Sequence, residues 1–188
     1  MGTIKTTNIE TITGSGTLTL GQSGETITIP SGATLDLSNA TQTGVGGDNT
    51  PSFFARVGTS TAFSGASDTK IAADTEEWDT NSAYDTSNYR FTVPTGEGGK
   101  YVIIGSCEFS VTVENEYGRI RFHKNGSSVN NSEVRLVLDS AFATIMKTIH
   151  ILDLAAGDYL EMYIRTLSSS GTYVAGKTSF QGFKLIGV

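Results

Sequence analysis

The chain has 188 residues, of which 37% are hydrophobic and 17% charged, a balance typical of one soluble domain with its own core. We expect no membrane insertion, because no apolar run approaches the roughly 18 residues of a spanning helix, and no secretion, because the first residues lack a signal-peptide pattern. The formal net charge of −6 disfavours nucleic acid and anionic membranes as partners, since both require a basic surface.

The aromatic residues are distributed unevenly along the chain. All nine Phe, all seven Tyr and the one Trp lie at or after Phe53. A segment without aromatic residues has little side-chain volume with which to close a core, so residues 1–52 are expected to depend on partners or on copies of themselves. The 22 glycines and the abundant Thr and Ser disfavour helices and favour turns and strands. The composition therefore predicts an all-β protein.

Three short alternating units follow one another near the N-terminus, at residues 17–20, 26–29 and 34–37. Each unit places two aliphatic residues on one face, and their spacing of eight or nine residues is suitable for rungs of β-structure. One aliphatic stripe cannot bury itself, so we expect three chains to wrap around a common axis as a thin β stalk. The predicted stalk core consists of Leu18, Leu20, Ile27, Ile29, Leu35 and Leu37.

A disordered Thr/Gly linker is the alternative interpretation of this region. We favour it for residues 42–50, where Gly44, Gly46 and Gly47 cluster, and we place a hinge there. The hinge divides the chain into an N-terminal anchoring and stalk segment, residues 1–50, and a head, residues 51–188.

The head shows a succession of alternating apolar and polar residues that indicates about eight strands and no amphipathic helix. The longest strand is predicted over residues 101–113, with one apolar face made of Tyr101, Ile103, Gly105, Cys107, Phe109, Val111 and Val113. Further strands are predicted at residues 53–57, 89–93, 118–124, 134–138, 144–154, 159–166 and 179–186, with turns at residues 124–126 and 156–158. Such a succession predicts a sandwich or a jelly roll.

Local motifs of the head occur in a recognisable order. They are SAYD at residues 82–85, YRFTVP at 89–94, GKYV at 99–102, FHKNG at 122–126, LDLAAGDYL at 152–160 and SFQGF at 179–183. In this order they resemble the motifs of the complement C1q and tumour-necrosis-factor (C1q/TNF) superfamily over about residues 52–188. The chain departs from that family at Ala83, where glycine is common, and in having no collagen-like Gly-X-Y repeat.

The resemblance implies a C1q/TNF-like ten-strand jelly roll that assembles as a compact homotrimer and is a binding or structural module. It also implies aromatic residues in the head core and near the threefold axis, here Tyr84, Phe91, Tyr101, Phe109, Phe122, Phe180 and Phe183.

The N-terminal repeats, from Gly14 to Leu35, are similar to the stalk repeats of structural proteins from tailed bacteriophages. Together with the head they imply a non-enzymatic virion surface protein, assembled in the host cytoplasm, that anchors by its N-terminus to the major capsid protein or another virion protein. The short chain favours a capsid decoration or cement protein, or a head fibre. The alternative is a tail fibre or knob that recognises a host-surface glycan or protein. A secreted C1q-like lectin is disfavoured by the missing signal-peptide pattern.

Patterns for catalysis or metal binding are absent from the sequence. His123 and His150 are the only histidines, both expected on strand surfaces, and no nucleophile elbow, zinc motif or phosphate loop occurs. The acidic residues between Asp68 and Asp85 lack the spacing of a calcium loop, so we expect a solvated acidic loop. We therefore predict no enzyme and no cofactor.

Two further residues of the head have alternative interpretations. Cys107 shares the apolar side of its strand and is predicted to be a buried, inert thiol. Trp78 lies among charged residues, which indicates either burial in the trimer interface, the interpretation we prefer, or an exposed recognition anchor. Under the second interpretation Trp78, Tyr84 or Tyr89 binds a ligand.

Overall fold

The computed structural model describes residues 24–36, 49–167 and 170–185. The chain divides into two compact units, residues 1–43 and 44–188. The boundary predicted after residue 50 stays a prediction, because residues 37–48 lie outside the described residues.

Residues 24–36 of the first unit form turns and extended chain without a strand. One turn is closed by the amide of Ala33, which donates to the carbonyl oxygen of Pro30 at 3.0 Å. The side chains of Ile27, Ile29 and Leu35 are exposed. The other predicted stalk residues, Leu18, Leu20 and Leu37, lie outside the described residues, so the stalk itself stays a prediction.

In the described part of the second unit the chain forms strands and no helix, and no helix long and apolar enough to cross a membrane was found there. The strands are β1 (Ser52–Arg56), β2 (Thr61–Phe63), β3 (Thr69–Lys70), β4 (Thr75–Asp79), β5 (Tyr84–Asp85), β6 (Arg90–Thr92), β7 (Gly99–Val111), β8 (Glu116–Lys124), β9 (Ser127–Ser128), β10 (Val134–Leu138), β11 (Thr144–Leu154), β12 (Tyr159–Thr166), β13 (Gly171–Tyr173) and β14 (Ser179–Lys184).

Ten of these strands form two antiparallel sheets. Sheet A has the order β4-β1-β14-β7-β11, and sheet B has the order β5-β6-β12-β8-β10. The other four strands are only two or three residues long and extend the sheets locally, since β13 pairs with β7 and β2, β3 with β12, and β9 with β8. The all-β, ten-strand jelly roll expected from the sequence is therefore confirmed.

The core lies between the two sheets and is built by the inward side of each strand. The predicted apolar side of β7 is buried from Tyr101 to Val111, whereas Val113 lies past the end of the strand and is exposed, contrary to the prediction. Cys107 is buried as predicted, and this burial raises the pKa of its thiol to about 12. The thiol is therefore protonated, and unreactive, at neutral pH.

Most of the aromatic residues expected from the family resemblance close this core. The ring of Phe53 stacks on Phe91 at 4.6 Å and on Tyr84 at 5.2 Å, and meets the edge of Phe180 at 5.0 Å. Six of the seven expected residues are buried inside the single chain: Tyr84, Phe91, Tyr101, Phe109, Phe122 and Phe180. They lie between the two sheets, as expected for the head core, and their position relative to a threefold axis stays a prediction. Phe183 is half-buried on the outer side of sheet A.

The acidic segment around Trp78 is a strand, so the prediction of a loop is wrong there, although Glu76 and Glu77 are exposed to solvent as predicted. Thr75–Asp79 pairs with β1, so that Trp78 lies opposite Phe54. The carboxylate of Asp79 accepts hydrogen bonds from the amides of Ala83 and Tyr84 at 3.1 and 2.9 Å. The ladder to β1 decides the conformation, and the charges fit an edge strand, where they discourage pairing with other chains.

Both predicted turns are present. Asn125 and Gly126 have φ values of +52° and +79° and connect β8 to β9 as a two-residue hairpin, for which Asn-Gly is the favoured sequence. Gly157 has a φ of +86° between β11 and β12, and the side chain of Asp158 closes that turn by accepting from the amide of Ala155 at 2.8 Å.

Candidate functional site

The two outer faces of the sandwich, one on each sheet, have opposite chemistry. The outer side of sheet A, here called the apolar face, carries aliphatic and aromatic side chains. The outer side of sheet B, here called the charged face, carries arginines, carboxylates and a histidine. Each face is a candidate binding surface.

Two rows of side chains cross the apolar face in register. The first row consists of Trp78, Phe54, Gln181, Ile104 and Ile149. The second row consists of Ser52, Phe183, Val102 and Ile151. Both rows run from the β4 or β1 side of sheet A to its other edge at β11.

The apolar face is open in the single chain. Trp78 is 51% exposed with its ring packed at 5.0 Å against Phe54, and Ile149 and Ile151 are 66% and 61% exposed. A cavity of about 160 Å³ opens on this face beside Trp78 and Phe183. Since large contiguous apolar patches are rare on monomers, and a sheet that is apolar on both sides is normally covered on both, the apolar face has the chemistry of an interface.

The charged face is organised by two carboxylates that bridge three arginines. Arg119 lies 3.0 Å from Glu133 and 3.3 Å from Asp68, between their nearest nitrogen and oxygen atoms. Arg121 pairs with Asp68 and, at 3.7 Å, with Glu133, which also pairs with Arg135. Partial burial alone would raise the pKa of Asp68, but the hydrogen bonds and charges of Arg121 and Arg119 outweigh it and hold that pKa below its ordinary value.

His123 lies on the charged face but is buried, so the expected surface position is wrong for this histidine. Its ring stacks on Tyr163 of the neighbouring strand at 4.0 Å, and its Nε2 is buried without a hydrogen-bond partner, 3.9 Å from Asp68. Burial, followed by the positive charge of Arg121, lowers the pKa of His123. His150 is half-buried on β11.

A row of arginines crosses sheet B at one end of the charged face. Arg165 of β12, Arg119 of β8 and Arg135 of β10 lie directly opposite one another in the strand register. Like charges in such positions destabilise a sheet unless something compensates them. A cavity of about 160 Å³ opens at this row, lined by Tyr117, Arg119, Arg135, Arg165, Thr166 and Leu167.

Sequence reasoning missed the arginine row, although one signal was available. Arg119 and Arg165 each lie between buried residues of a correctly predicted strand, and Arg135 lies between the apolar residues Val134 and Leu136 of another, so alternation places all three on the outer side of sheet B. Their meeting in a single row depends on the register between strands, and a single sequence does not contain that register.

Trp78 and Tyr89, two possible ligand-binding residues, lie on different sheets. Trp78 is part of the apolar face on sheet A, whereas Tyr89 is half-buried beside β6 of sheet B. Among the described residues no three His, Cys, Asp or Glu side chains converge in a way that would hold a metal ion. The chemistry that the two faces offer is apolar association on sheet A and anion recognition on sheet B.

Solved structures of other proteins share this architecture. The globular domain of zebrafish complement 1qA aligns with a TM-score of 0.53 at 12% identity, covering 72% of this chain and 97% of that one. The S. frugiperda TNF protein Eiger aligns with a TM-score of 0.55 at 13% identity, covering 71% and 91%. The head has the C1q/TNF jelly-roll fold.

Murine APRIL, solved at pH 5.0, is a third protein with this C1q/TNF jelly roll. It aligns with a TM-score of 0.53 at 12% identity, covering 71% of this chain and 98% of that one. No protein-family model and no curated protein sequence matches the chain. At these identities the likeness establishes the fold, and function must be argued from the two faces.

Proposed function

We propose that this chain is a non-enzymatic, homotrimeric structural protein of a bacteriophage virion, a capsid decoration or cement protein or a head fibre. Its head trimerises through the apolar face, and its N-terminal segment anchors it to the major capsid protein or another virion protein. The observation that carries the proposal is the apolar face, which extends across all five strands of sheet A and has no cover within the described chain.

The distribution of apolar groups on this face favours a ring of copies. Trp78 lies on the edge strand β4, and Ile149 and Ile151 lie on the opposite edge strand β11. A head-to-tail contact, in which the β11 edge of one copy packs against the β4 and β1 side of the next, buries both edges at once. Such heterologous contacts form closed rings when the rotation closes, and a ring of three agrees with the trimer implied by the family resemblance.

The N-terminal segment supports the second half of the proposal. Ile27 and Leu35 are 57% and 60% exposed and have no aromatic residue near them in sequence with which to form a core. Burial between copies, or against a particle, gives these side chains the apolar surroundings that one chain lacks. The similarity of this segment to phage stalk repeats indicates a virion as the particle.

Particle decoration by two forms of the protein tests this function. The full chain and a head that lacks residues 1–50 are purified and mixed with phage particles assembled without the protein. We expect both forms to have the mass of trimers, near three times 19.9 kDa for the full chain, and only the full chain to decorate the particles. Decoration by the head alone contradicts the anchoring role, and a monomeric mass of the full chain contradicts the trimer.

A receptor-binding tail fibre or knob is the second candidate function, and the cavity at the arginine row favours it. That cavity lies on sheet B, so copies that cover sheet A leave it open to a host-surface ligand. Purified heads that block adsorption of the phage to its host support this candidate, whereas a decoration protein neither binds cells nor blocks infection.

A further inference from the structure

We propose that the cavity at the arginine row binds the carboxylate or sulfate group of an acidic saccharide. The proposal names a ligand class for the second candidate function, but it stands on the cavity alone. Binding is measured on the isolated protein, so its failure leaves the trimer and the virion anchoring untouched.

The first argument is charge. Four arginines of the charged face, Arg119, Arg121, Arg135 and Arg165, face only two bridging carboxylates, those of Asp68 and Glu133. Four positive and two negative charges leave this cluster at +2, on a chain with a formal net charge of −6. Because the rest of the protein surface is acidic, an anion is attracted to this arginine cluster more than to other parts of the surface.

The second argument is the hydrogen-bonding capacity that remains at the cavity. Both terminal nitrogens of Arg119 are used by Glu133 and Asp68, which fixes its side chain, and its Nε is buried without a partner. Arg165 has no ion pair or hydrogen bond with any side chain among the described residues of the head. Arg165 therefore keeps its planar fork of donors for a bidentate contact with an oxyanion.

The third argument concerns the part of the ligand beside the anion. Tyr117 and Leu167 line the same cavity and are 48% and 60% exposed, and Arg135 packs over the Tyr117 ring at 5.7 Å. The Tyr117 ring and the Leu167 side chain can pack against an apolar C–H surface, while the arginines bind a charged group. An acidic sugar has both, because the C–H face of its ring lies beside its charge. A bare inorganic anion does not use these two side chains.

The size and the setting of the cavity limit the ligand further. A volume of about 160 Å³ is similar to that of a cavity of about 150 Å³ that holds one benzene molecule, enough for an oxyanion and part of the ring that carries it. A nucleic acid instead requires a basic groove along its backbone, and the net charge of −6 opposes such a polyanion.

The test is an NMR titration of the full-length protein that follows the Nε–H signals of its arginines. Glucuronic acid and glucose 6-sulfate serve as acidic probes, glucose as the neutral probe and inorganic sulfate as the bare anion. We expect the two acidic sugars to shift the Arg119 and Arg165 signals in a saturable way, glucose to leave them unchanged, and sulfate to bind more weakly than glucose 6-sulfate.

Substitutions separate a site from a general charge effect. Arg165→Ala is expected to weaken binding of the acidic sugars about 10- to 100-fold, because it removes charge-assisted hydrogen bonds, and Arg165→Lys is expected to restore only part of it. The control is Arg90→Ala, which removes one positive charge from sheet B at a position outside the cavity, where Arg90 packs over Tyr159 at 4.8 Å.

Three results overturn the proposal. Equal binding by the Arg165→Ala variant and the unmodified protein shows that the cavity is not the site. Equal binding of glucose and glucuronic acid shows that charge is not recognised. Sulfate that binds as tightly as glucose 6-sulfate shows that the sugar ring contributes nothing, and the saccharide assignment is then wrong.

Discussion

Ile149 offers the sharpest test of the apolar face. It is 66% exposed in the single chain and lies in the middle of the β11 edge, in the row that begins at Trp78. Replacement by aspartate puts a charge at the centre of the proposed contact between copies. We expect the Ile149→Asp variant to fold as the unmodified chain does and to remain a monomer.

The expected loss of trimer association free energy follows from the exposed fraction of the Ile149 side chain. Complete burial of an isoleucine side chain is worth about 1.5–3 kcal/mol, so covering the exposed two-thirds of Ile149 contributes about 1–2 kcal/mol in each copy. Three copies lose about 3–6 kcal/mol together, which lowers the trimer association constant about 10²- to 10⁴-fold. Burial of an unpaired carboxylate adds a further cost of the same sign.

Sedimentation equilibrium over a range of micromolar concentrations measures this effect, with circular dichroism as the check on folding. Val137→Asp is the matched control, because Val137 is 65% exposed but lies on sheet B, on the side away from the apolar face. In the single chain both substitutions are at exposed strand positions, and each is expected to lower the free energy of unfolding by a similar amount, about 1 kcal/mol, because aspartate is disfavoured in strands.

A trimeric Ile149→Asp variant refutes the reasoning, because the apolar face is then not the interface. The same conclusion follows if the Val137→Asp control dissociates as completely as Ile149→Asp, since the interface would then not be specific to sheet A.

Two further predictions concern the stability of the head. We expect the free energy of unfolding, measured with urea, to fall as the pH is lowered from 7 to 5. Burial and the charge of Arg121 lower the pKa of His123 below its ordinary 6.5 in the folded head. The unfolded chain therefore takes up the proton first, and acid favours unfolding. A His123→Gln variant should lose this dependence, and an unchanged slope would show that another group causes it. We also expect Gly182→Ala to cost about 1–3 kcal/mol, since a Cβ there would lie 2.9 Å from the carbonyl oxygen of Val102. Gly98→Ala, whose Cβ would make only ordinary contacts of 3.4 Å or more, is its control, and equal stability of the two variants would contradict the steric argument.

Strands with a strong local alternation could be predicted closely from the sequence. The bounds of Val134–Leu138, Thr144–Leu154 and Tyr159–Thr166 agree with the prediction to the residue. Thr75–Asp79 was missed because four of its five residues are polar, and only its ladder to β1, some 20 residues away in sequence, makes it a strand. Pairings between distant segments override local preference in sheets.

The candidate surfaces were harder to predict than the strands, for a related reason. On β11 both sides carry apolar residues, so alternation alone does not say which side enters the core. The structure places Met146 and Leu154 inside and leaves Ile145, Ile149 and Ile151 outside. Pairing with β7 decides which side of β11 faces the core. The β-branched isoleucines, which one would expect to be buried, are therefore on the exposed side.

The exposed β11 edge also has a consequence for how the protein is produced. Until copies meet, this strand presents three isoleucines and one unpaired backbone edge, a combination that promotes irregular aggregation of newly made chains. Lys147 stands between Ile145 and Ile149 on the same side of the strand and interrupts the apolar run with a charge. A lysine in that position acts as a gatekeeper residue, because its charge opposes non-specific aggregation of free subunits. The isoleucines beside it stay available for ordered assembly.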